Sequence, residues 1–274
     1  MNINKNKDIV LNNGVEIPRI GLGTYQLKGN NLERAVMTAL EAGYRHFDTA
    51  TLYENEGELG KILMNSGINR EDLFITTKIY NDDQGYESTH RAIDKSLDLL
   101  QTDFVDLYLI HWPVTDLRHE TWEAMIEIYD QRKARSIGVS NYTEEHIDEL
   151  MKKSPITPVV NQVEMTPFLY QKSLAEKCDS YDIKIQAYSP LARAKFMGNE
   201  IIQSMANSHG VTPAQVMIRW SVEKGFIPLP RSSNESRIKE NIDIYNFELT
   251  ENDMLDLDKL SDNTRVSWDP TGVK

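Results

Sequence analysis

The stretch His46-Phe47-Asp48-Thr49-Ala50-Thr51-Leu52-Tyr53-Glu54-Asn55-Glu56 lies where a strand pattern gives way to a helix pattern. It begins as the end of an apolar strand, breaks at Asp48 and opens into a helical pattern at Glu56. A short apolar run followed closely by an amphipathic helix is the repeating unit of α/β proteins. The junction also offers a carboxylate and the phenol of Tyr53 on one loop. These groups form a candidate site only if the rest of the chain supplies a cation and a pocket.

The same alternation of strand and helix extends from this junction in both directions. Counted from Ile20, apolar runs predict eight strands, at residues 19–23, 45–48, 73–78, 104–111, 135–140, 158–164, 183–188 and 225–230. Amphipathic spacing predicts helices at residues 31–42, 56–64, 88–100, 120–130, 143–151, 171–181, 200–209, 212–224, 234–242 and 250–260. Residues 8–17 precede this series and predict a β-hairpin, because Asn13-Gly14 suits a tight turn.

Eight strands, each followed by helix, predict an α/β fold of the (β/α)8 TIM-barrel type with additional C-terminal helices. The strands are apolar on both faces, as parallel strands covered by helices should be. A doubly wound sheet is the alternative. Its dinucleotide-binding fingerprint fails here, because Gly21-Leu22-Gly23 is not followed by a third glycine at the required spacing. No linker or low-complexity segment interrupts the chain, so we expect residues 1–274 to form one domain.

Composition limits the classes of partner. The net charge of −12 argues against nucleic acid or an anionic membrane surface. The single Cys178 excludes an intramolecular disulfide, and the spacing of the histidines suggests no metal site. The first seven residues lack the apolar core of a secretion signal, and no apolar run approaches the roughly 20 residues of a membrane span. We expect a cytoplasmic protein, and the abundance of Asn, Lys and Ile is typical of an AT-rich bacterial genome.

Polar residues follow the apolar strands at their C-terminal ends. In a barrel these ends converge on one face. Taken singly, each has a structural explanation: Asp48 could cap a loop, Lys78 could be a solvated charge, and His111 could be a hydrogen-bonded core histidine. Together they would place four kinds of titratable group at one mouth. The strand ends are Gly23-Thr24-Tyr25, Asp48, Lys78, His111, Ser140-Asn141, Gln162, Glu164, Tyr188-Ser189 and Arg231-Ser232.

This combination predicts proton transfer to a carbonyl group. A phenol has an ordinary pKa of about 10, and a nearby ammonium lowers it. We therefore expect Lys78, held charged by Asp48, to lower the pKa of Tyr53. Neutral His111 would orient the carbonyl oxygen while Tyr53 donates its proton to that oxygen. Because no side chain can supply a hydride, a nicotinamide cofactor is implied.

The motifs of this chain resemble those of the aldo-keto reductase superfamily, in its short bacterial branch of diketogluconate and methylglyoxal reductases. The resemblance implies a catalytic tetrad of Asp48, Tyr53, Lys78 and His111, a hairpin that plugs the barrel, and a nicotinamide stacked on Tyr188. The motifs are Gly21-Leu22-Gly23-Thr24-Tyr25, Asp48-Thr49-Ala50 with Tyr53, Thr76-Thr77-Lys78, Leu109-Ile110-His111-Trp112-Pro113, Ile137-Gly138-Val139-Ser140-Asn141, Asn161-Gln162-Val163-Glu164, Tyr188-Ser189-Pro190-Leu191 and Arg231-Ser232-Ser233-Asn234 with Arg237, Glu240 and Asn241.

The cofactor implied by this resemblance is NADPH or NADP+, with NADH expected to bind less well. Arg231 and Arg237 flank the start of a helix, where backbone amides and guanidinium groups favour an anion such as the 2′-phosphate. Family members more often carry Lys at position 231, but Arg keeps the charge. An ordinary helix cap with surface arginines is the alternative. The expected cofactor residues are Gly23, Thr24, Asp48, Ser140, Asn141, Gln162, Tyr188, Ser189, Leu191, Arg231, Ser232, Ser233, Asn234, Arg237, Glu240 and Asn241.

The expected substrate is a small carbonyl compound, such as a 2-oxoaldehyde or a sugar-derived carbonyl. Short loops after His111 and after Leu260 suggest an open pocket with aromatic walls, which suit small aldehydes. Tyr80 and Phe168 could equally pack beneath the loops. The expected substrate contacts are Tyr25, Tyr53, Tyr80, His111 and Trp112, with Phe168 and Trp268 as further candidates.

Two other functions remain open from the sequence. A Schiff-base aldolase would use Lys78 as a neutral nucleophile. A non-catalytic NADPH-sensing subunit would share the fold, as potassium-channel β-subunits do. The expected assembly is a monomer, with a weak dimer as the alternative.

Overall fold

The computed structural model describes residues 8–273, so the first seven residues and Lys274 lie outside it. Its strands are β1 Ile9–Val10, β2 Glu16–Ile17, β3 Leu22–Gly23, β4 His46–Asp48, β5 Phe74–Ile79, β6 Leu107–Ile110, β7 Ile137–Ser140, β8 Val160–Glu164, β9 Lys184–Tyr188 and β10 Ile227–Leu229. Its α-helices are α1 Gly29–Ala42, α2 Glu56–Met64, α3 Tyr86–Leu100, α4 Arg118–Asp130, α5 Glu144–Lys153, α6 Lys172–Ser180, α7 Glu200–His209, α8 Pro213–Glu223, α9 Glu235–Ile242 and α10 Glu251–Asp258.

Strands β3 to β10 form a parallel sheet in which each strand pairs with its neighbour in the chain. The first and last strands also meet: Gly21 N donates to Pro228 O and Gly23 N to Pro230 O, both at 3.1 Å. Sequential order together with this closure makes the sheet a TIM barrel and confirms the predicted fold. The doubly wound alternative is wrong, because such a sheet reverses its strand order and stays open.

The hairpin of β1 and β2 closes the bottom of the barrel. Gly14 at its turn has φ 83°, as a tight turn requires. Ile9 and Ile17 belong to the same buried apolar cluster as Leu107 and Val160, which are the first residues of β6 and β8. The hairpin therefore covers the N-terminal ends of the strands and leaves the C-terminal ends for a site.

The helices follow the predicted pattern closely. The bounds of α2 and α7 match the prediction residue for residue, and Thr143 caps α5 through a capping box with His146. Strand β6 is shorter than the predicted 104–111, and at its start the backbone amide of Ile75 donates to the carboxylate of Asp106 at 2.9 Å. Among the described residues, no helix is long and apolar enough to cross a bilayer.

Candidate active site

The C-terminal ends of two neighbouring strands, β4 and β5, bring Asp48, Tyr53 and Lys78 together. Lys78 lies near the end of β5 and is fully buried. Its ammonium is 2.7 Å from Asp48 Oδ1, 2.8 Å from the carbonyl oxygen of Thr49 and 3.3 Å from Tyr53 Oη. Each of these three oxygens can accept a hydrogen bond from the ammonium. The predicted cation thus lies between the carboxylate and the phenol.

The phenol of Tyr53 is presented by a short 3-10 turn that follows β4. Thr51, at the start of this turn, donates from Oγ1 to the carbonyl oxygen of Lys78 at 2.7 Å, which fixes the turn to the neighbouring strand. The ring of Tyr53 lies 5.0 Å from that of Tyr25 and 5.9 Å from that of His111, measured between centroids. The site therefore combines groups from the ends of β3, β4, β5 and β6.

The expected lowering of the Tyr53 pKa is wrong. The pKa of this phenol is raised well above its ordinary value, mainly because the group is desolvated and secondarily because the carboxylate of Asp48 lies nearby. Asp48 offsets the positive charge of Lys78, so the ammonium does not overcome the cost of burying a phenolate. Tyr53 therefore carries its proton at neutral pH.

Burial also changes the titration of the two basic groups. It lowers the pKa of Lys78, an effect that the charge and hydrogen bond of Asp48 oppose. Desolvation, together with the charge of Lys78, lowers the pKa of His111 to about 3. His111 is therefore a neutral imidazole at physiological pH, as the sequence predicted.

Asp48 has a second partner that the sequence did not indicate. Gln162 Nε2 donates to Asp48 Oδ2 at 2.7 Å and to Gln186 Oε1 at 3.0 Å. Because Lys78 occupies Asp48 Oδ1, both carboxylate oxygens are bonded. The two N–H groups of Gln162 are also used, so its oxygen remains as the acceptor for a ligand.

A cavity of about 700 Å³ opens above these groups and extends to the start of α9. Three expected residues do not line it: Thr24 is buried and bonds the carbonyl oxygen of Asp48, Lys78 is enclosed beneath Tyr53, and Tyr80 lies beside His111 with ring centroids 6.1 Å apart. Phe168 is also a packing residue, because it is buried and stacks on Phe196 at 3.8 Å. The expected residues that line the cavity are Gly23, Tyr25, Asp48, Tyr53, His111, Trp112, Ser140, Asn141, Gln162, Tyr188, Ser189, Leu191, Arg231, Ser232, Ser233, Asn234, Arg237, Glu240, Asn241 and Trp268.

The middle of the cavity is held by a chain of side-chain bonds. Tyr188 Oη donates to Asn141 Oδ1 at 2.9 Å, and Asn141 Nδ2 donates to the carbonyl oxygen of His111 at 2.9 Å. Ser140 Oγ donates to the carbonyl oxygen of Gln162 at 2.8 Å. This network links the ends of β7, β8 and β9 to the residue that follows β6.

The far end of the cavity contains two arginines and the capped N-terminus of α9. Asn234 is the N-cap of α9 and accepts from the backbone amide of Arg237 at 3.0 Å. Arg231 donates from Nε and Nη2 to the carbonyl oxygens of Tyr25 and Gln26. Both arginines are exposed, so their guanidinium groups can also meet an anion.

One wall of the cavity was not foreseen. Residues 192–194 carry three successive positive φ values, 47°, 52° and 64°, although none is glycine. Arg193 and Ala194 of this segment line the cavity, as does Met197 beyond it. No glycine or Asn in Ala192-Arg193-Ala194 signals the left-handed turn, so a sequence pattern could not locate it.

Comparison with known proteins agrees with this geometry. Residues 19–262 match the model of the aldo/keto reductase family. The chain is 45% identical over 266 residues to a glyoxal reductase of Bacillus subtilis, with 96% of each chain covered. It is 40% identical over 266 residues to a methylglyoxal reductase of Escherichia coli O157:H7, again with 96% of each covered. The solved structure of a Bombyx mori aldo-keto reductase in complex with NADP has a TM-score of 0.89 and 35% identity, and the match covers 95% of this chain and 94% of that one.

Proposed function

The chain belongs to the aldo/keto reductase family and is therefore an oxidoreductase, and we propose that it uses NADPH to reduce small 2-oxoaldehydes to hydroxy compounds. The observation that carries this proposal is the buried contact of Lys78 with both Asp48 and Tyr53, at the base of a cavity of about 700 Å³. That arrangement suits protonation of a carbonyl oxygen. Relatives named for glyoxal and methylglyoxal support the substrate class.

The residues of the cavity fit a nicotinamide dinucleotide. Among the described residues, Asn241 Oδ1 is buried without a hydrogen-bond partner and lines the cavity, where it could accept from an adenine amino group. Arg231, Arg237 and the hydroxyl of Ser233 offer donors for phosphate, while the Ser232 hydroxyl already donates to the carbonyl oxygen of Asn234. The cofactor supplies a hydride when bound. A relative of known structure is complexed with NADP, which supports this choice.

Tyr53 is the proposed proton donor. Its raised pKa keeps the proton on Oη until an alkoxide, a far stronger base than phenolate, develops on the substrate. Lys78 Nζ, 3.3 Å away, can strengthen its hydrogen bond to Oη as phenolate charge forms. This stabilisation is greater in the transition state than in the ground state, which is the condition for a faster chemical step.

Asp48 and His111 support that transfer in different ways. Asp48 holds the ammonium of Lys78 at 2.7 Å and does not need to touch the substrate. Neutral His111 can donate a hydrogen bond to the substrate oxygen without competing as an acid, because its pKa is about 3. Its buried Nδ1 has no partner among the described residues. Tyr25 and Trp112 line the cavity and would contact the substrate.

The two alternative functions are less well supported. Lys78 is fully buried, does not line the cavity and directs its ammonium to three oxygens. An aldolase lysine must instead meet the substrate as a free amine. A non-catalytic sensor would not need Tyr53 and Lys78 in contact beside the cavity. We propose a cytoplasmic monomer, with a weak dimer as the alternative.

The test is to mix the purified protein with NADPH and with methylglyoxal, glyoxal or a simple aldehyde, and to follow NADPH oxidation by the decrease in its absorbance. The account predicts turnover with at least the 2-oxoaldehydes, and slower turnover when NADH replaces NADPH at equal concentration. Absence of NADPH oxidation with every carbonyl would contradict the proposal. Borohydride trapping of substrate on Lys78 would favour the aldolase instead.

A further inference from the structure

Glu164, the last residue of β8, takes no part in the proposed proton transfer but holds the C-terminal tail. Its side chain is buried, and the residue is 1% exposed. One carboxylate oxygen accepts from the backbone amide of Val266 at 2.7 Å, and the other accepts from the amide of Ser267 at 3.1 Å. These two amides are consecutive in the C-terminal tail. A barrel strand therefore holds the tail by a two-point clamp.

Further contacts surround this clamp. Gln171, the N-cap residue of α6, donates from Nε2 to the carbonyl oxygen of Glu164 at 2.8 Å. Arg265 Nη2 donates to Gln171 Oε1 at 3.0 Å. The tail at residues 265–267 is thus bonded to both β8 and the start of α6. Because both oxygens of Glu164 face backbone amides, the clamp fixes the path of the main chain rather than one side chain.

The residue that follows the clamp forms part of the cavity. Trp268 lines the cavity, and its ring lies 6.4 Å from that of Trp112 in an edge-to-face arrangement. Trp268 is 55% exposed, so packing contacts alone give it little restraint. The backbone that leads to Trp268 is held by Glu164 at the two preceding residues, Val266 and Ser267.

We propose that Glu164 is a positioning residue that determines substrate size preference by holding Trp268 against Trp112. The proposal rests on the proposed carbonyl reduction and names the part of the protein that selects among carbonyl compounds. With the clamp intact, the paired rings give a bulky aryl aldehyde an aromatic wall. We expect a three-carbon 2-oxoaldehyde placed beside Tyr53, Tyr25 and Trp112 to be too small to depend on contact with Trp268.

The decisive variant is Glu164→Gln, which keeps the shape of the side chain. A glutamine offers one oxygen, and its NH2 group would face the second backbone amide, so one donor meets another donor. The matched control is Glu176→Gln on the exposed face of α6, where the carboxylate forms a surface ion pair with Lys172 at 3.6 Å. Trp268→Ala and the double variant Glu164→Gln/Trp268→Ala complete a double-mutant cycle, which measures the energetic coupling between Glu164 and Trp268.

Steady-state kcat/KM is measured for 2-naphthaldehyde and for methylglyoxal with NADPH. For Glu164→Gln we expect a loss of about ten-fold with the naphthaldehyde, mainly in KM, the size of effect produced by losing one charge-assisted hydrogen bond. With methylglyoxal we expect less than about two-fold change. In the Trp268→Ala background, Glu164→Gln should have no further effect on the naphthaldehyde. An equal loss with both substrates, or full additivity with Trp268→Ala, would overturn the proposal.

Hydrogen–deuterium exchange of residues 264–268 tests the clamp without turnover. In the ligand-free protein, exchange of these amides should be faster in Glu164→Gln than in wild type and unchanged in Glu176→Gln. Unchanged exchange in Glu164→Gln would overturn the clamp even if activity altered. Because this readout does not depend on any substrate, failure of the carbonyl-reductase proposal is distinguishable from failure of the clamp.

Discussion

Gln162 Nε2 donates a 2.7 Å hydrogen bond to Asp48 Oδ2, on the oxygen opposite the one that holds Lys78. The carboxylate of Asp48 is therefore shared between the proposed proton-transfer site and the residue proposed to face the cofactor. Both partners are buried. A change at Gln162 should consequently reach Lys78 and Tyr53 through Asp48, and should not be limited to cofactor affinity.

Gln162→Met should lower both stability and kcat. Methionine has a similar length but leaves Asp48 Oδ2 buried without a donor, a loss of about 1–3 kcal/mol in the free energy of unfolding. Urea unfolding and steady-state kinetics measure the two effects. Gln186→Met is the matched control, because it removes the other acceptor of Gln162 and leaves the bond to Asp48 in place. If the two variants have equal kcat, the proposed effect of Gln162 on Lys78 and Tyr53 through Asp48 is wrong.

A second prediction concerns His46, which lies inside the barrel against Gly21. A Cβ on Gly21 would lie 2.6 Å from His46 Nδ1, so the glycine leaves room for the ring. Burial lowers the pKa of His46 from 6.5 to about 3. Between these values the unfolded chain binds a proton that the folded protein does not, so stability is lost as pH falls below about 6.5.

His46→Gln should remove this dependence on pH. Between pH 7.5 and 5, the free energy of unfolding of wild type should fall by about 2 kcal/mol more than that of the variant. Urea unfolding at both pH values gives the difference. If the free energy of unfolding falls by the same amount in wild type and in His46→Gln, the pKa of His46 is not lowered by folding, and the prediction is wrong.

The third prediction separates NADPH from NADH. Arg237→Ala should weaken NADPH binding by about ten-fold, because a charge-assisted contact to the 2′-phosphate is lost. NADH binding should stay within about two-fold, since NADH lacks that phosphate. Lys239→Ala is the control, because Lys239 is an exposed cation on the same helix that does not line the cavity. Fluorescence titration with each cofactor measures the affinities; an equal loss for both would contradict the assignment.

Sequence patterns were sufficient for the barrel and for most of the cavity. Helices α2 and α7 were located to the residue, because the spacing of their apolar residues is a local signal. The contact between Asp48, Lys78 and Tyr53 was predictable from the convergence of strand ends in a barrel.

Features that depend on three-dimensional context were not predictable in the same way. The pKa of Tyr53 moved in the direction opposite to expectation, because the balance between burial and the Asp48–Lys78 pair depends on depth. The bond between Gln162 and Asp48 joins residues 114 positions apart. The assignment of Phe168 to packing required the position of Phe196, and the clamp at Glu164 required the path of the tail.

The central claim is that Tyr53 gives its proton to the carbonyl oxygen. The most direct measurement is the rate of reduction of methylglyoxal by Tyr53→Phe in a single turnover with saturating NADPH, together with the Kd of NADPH. The account predicts a rate lower by about 10²–10⁴-fold and a Kd within about two-fold of wild type. A Tyr53→Phe protein that binds NADPH normally and reduces methylglyoxal at the wild-type rate would contradict the account.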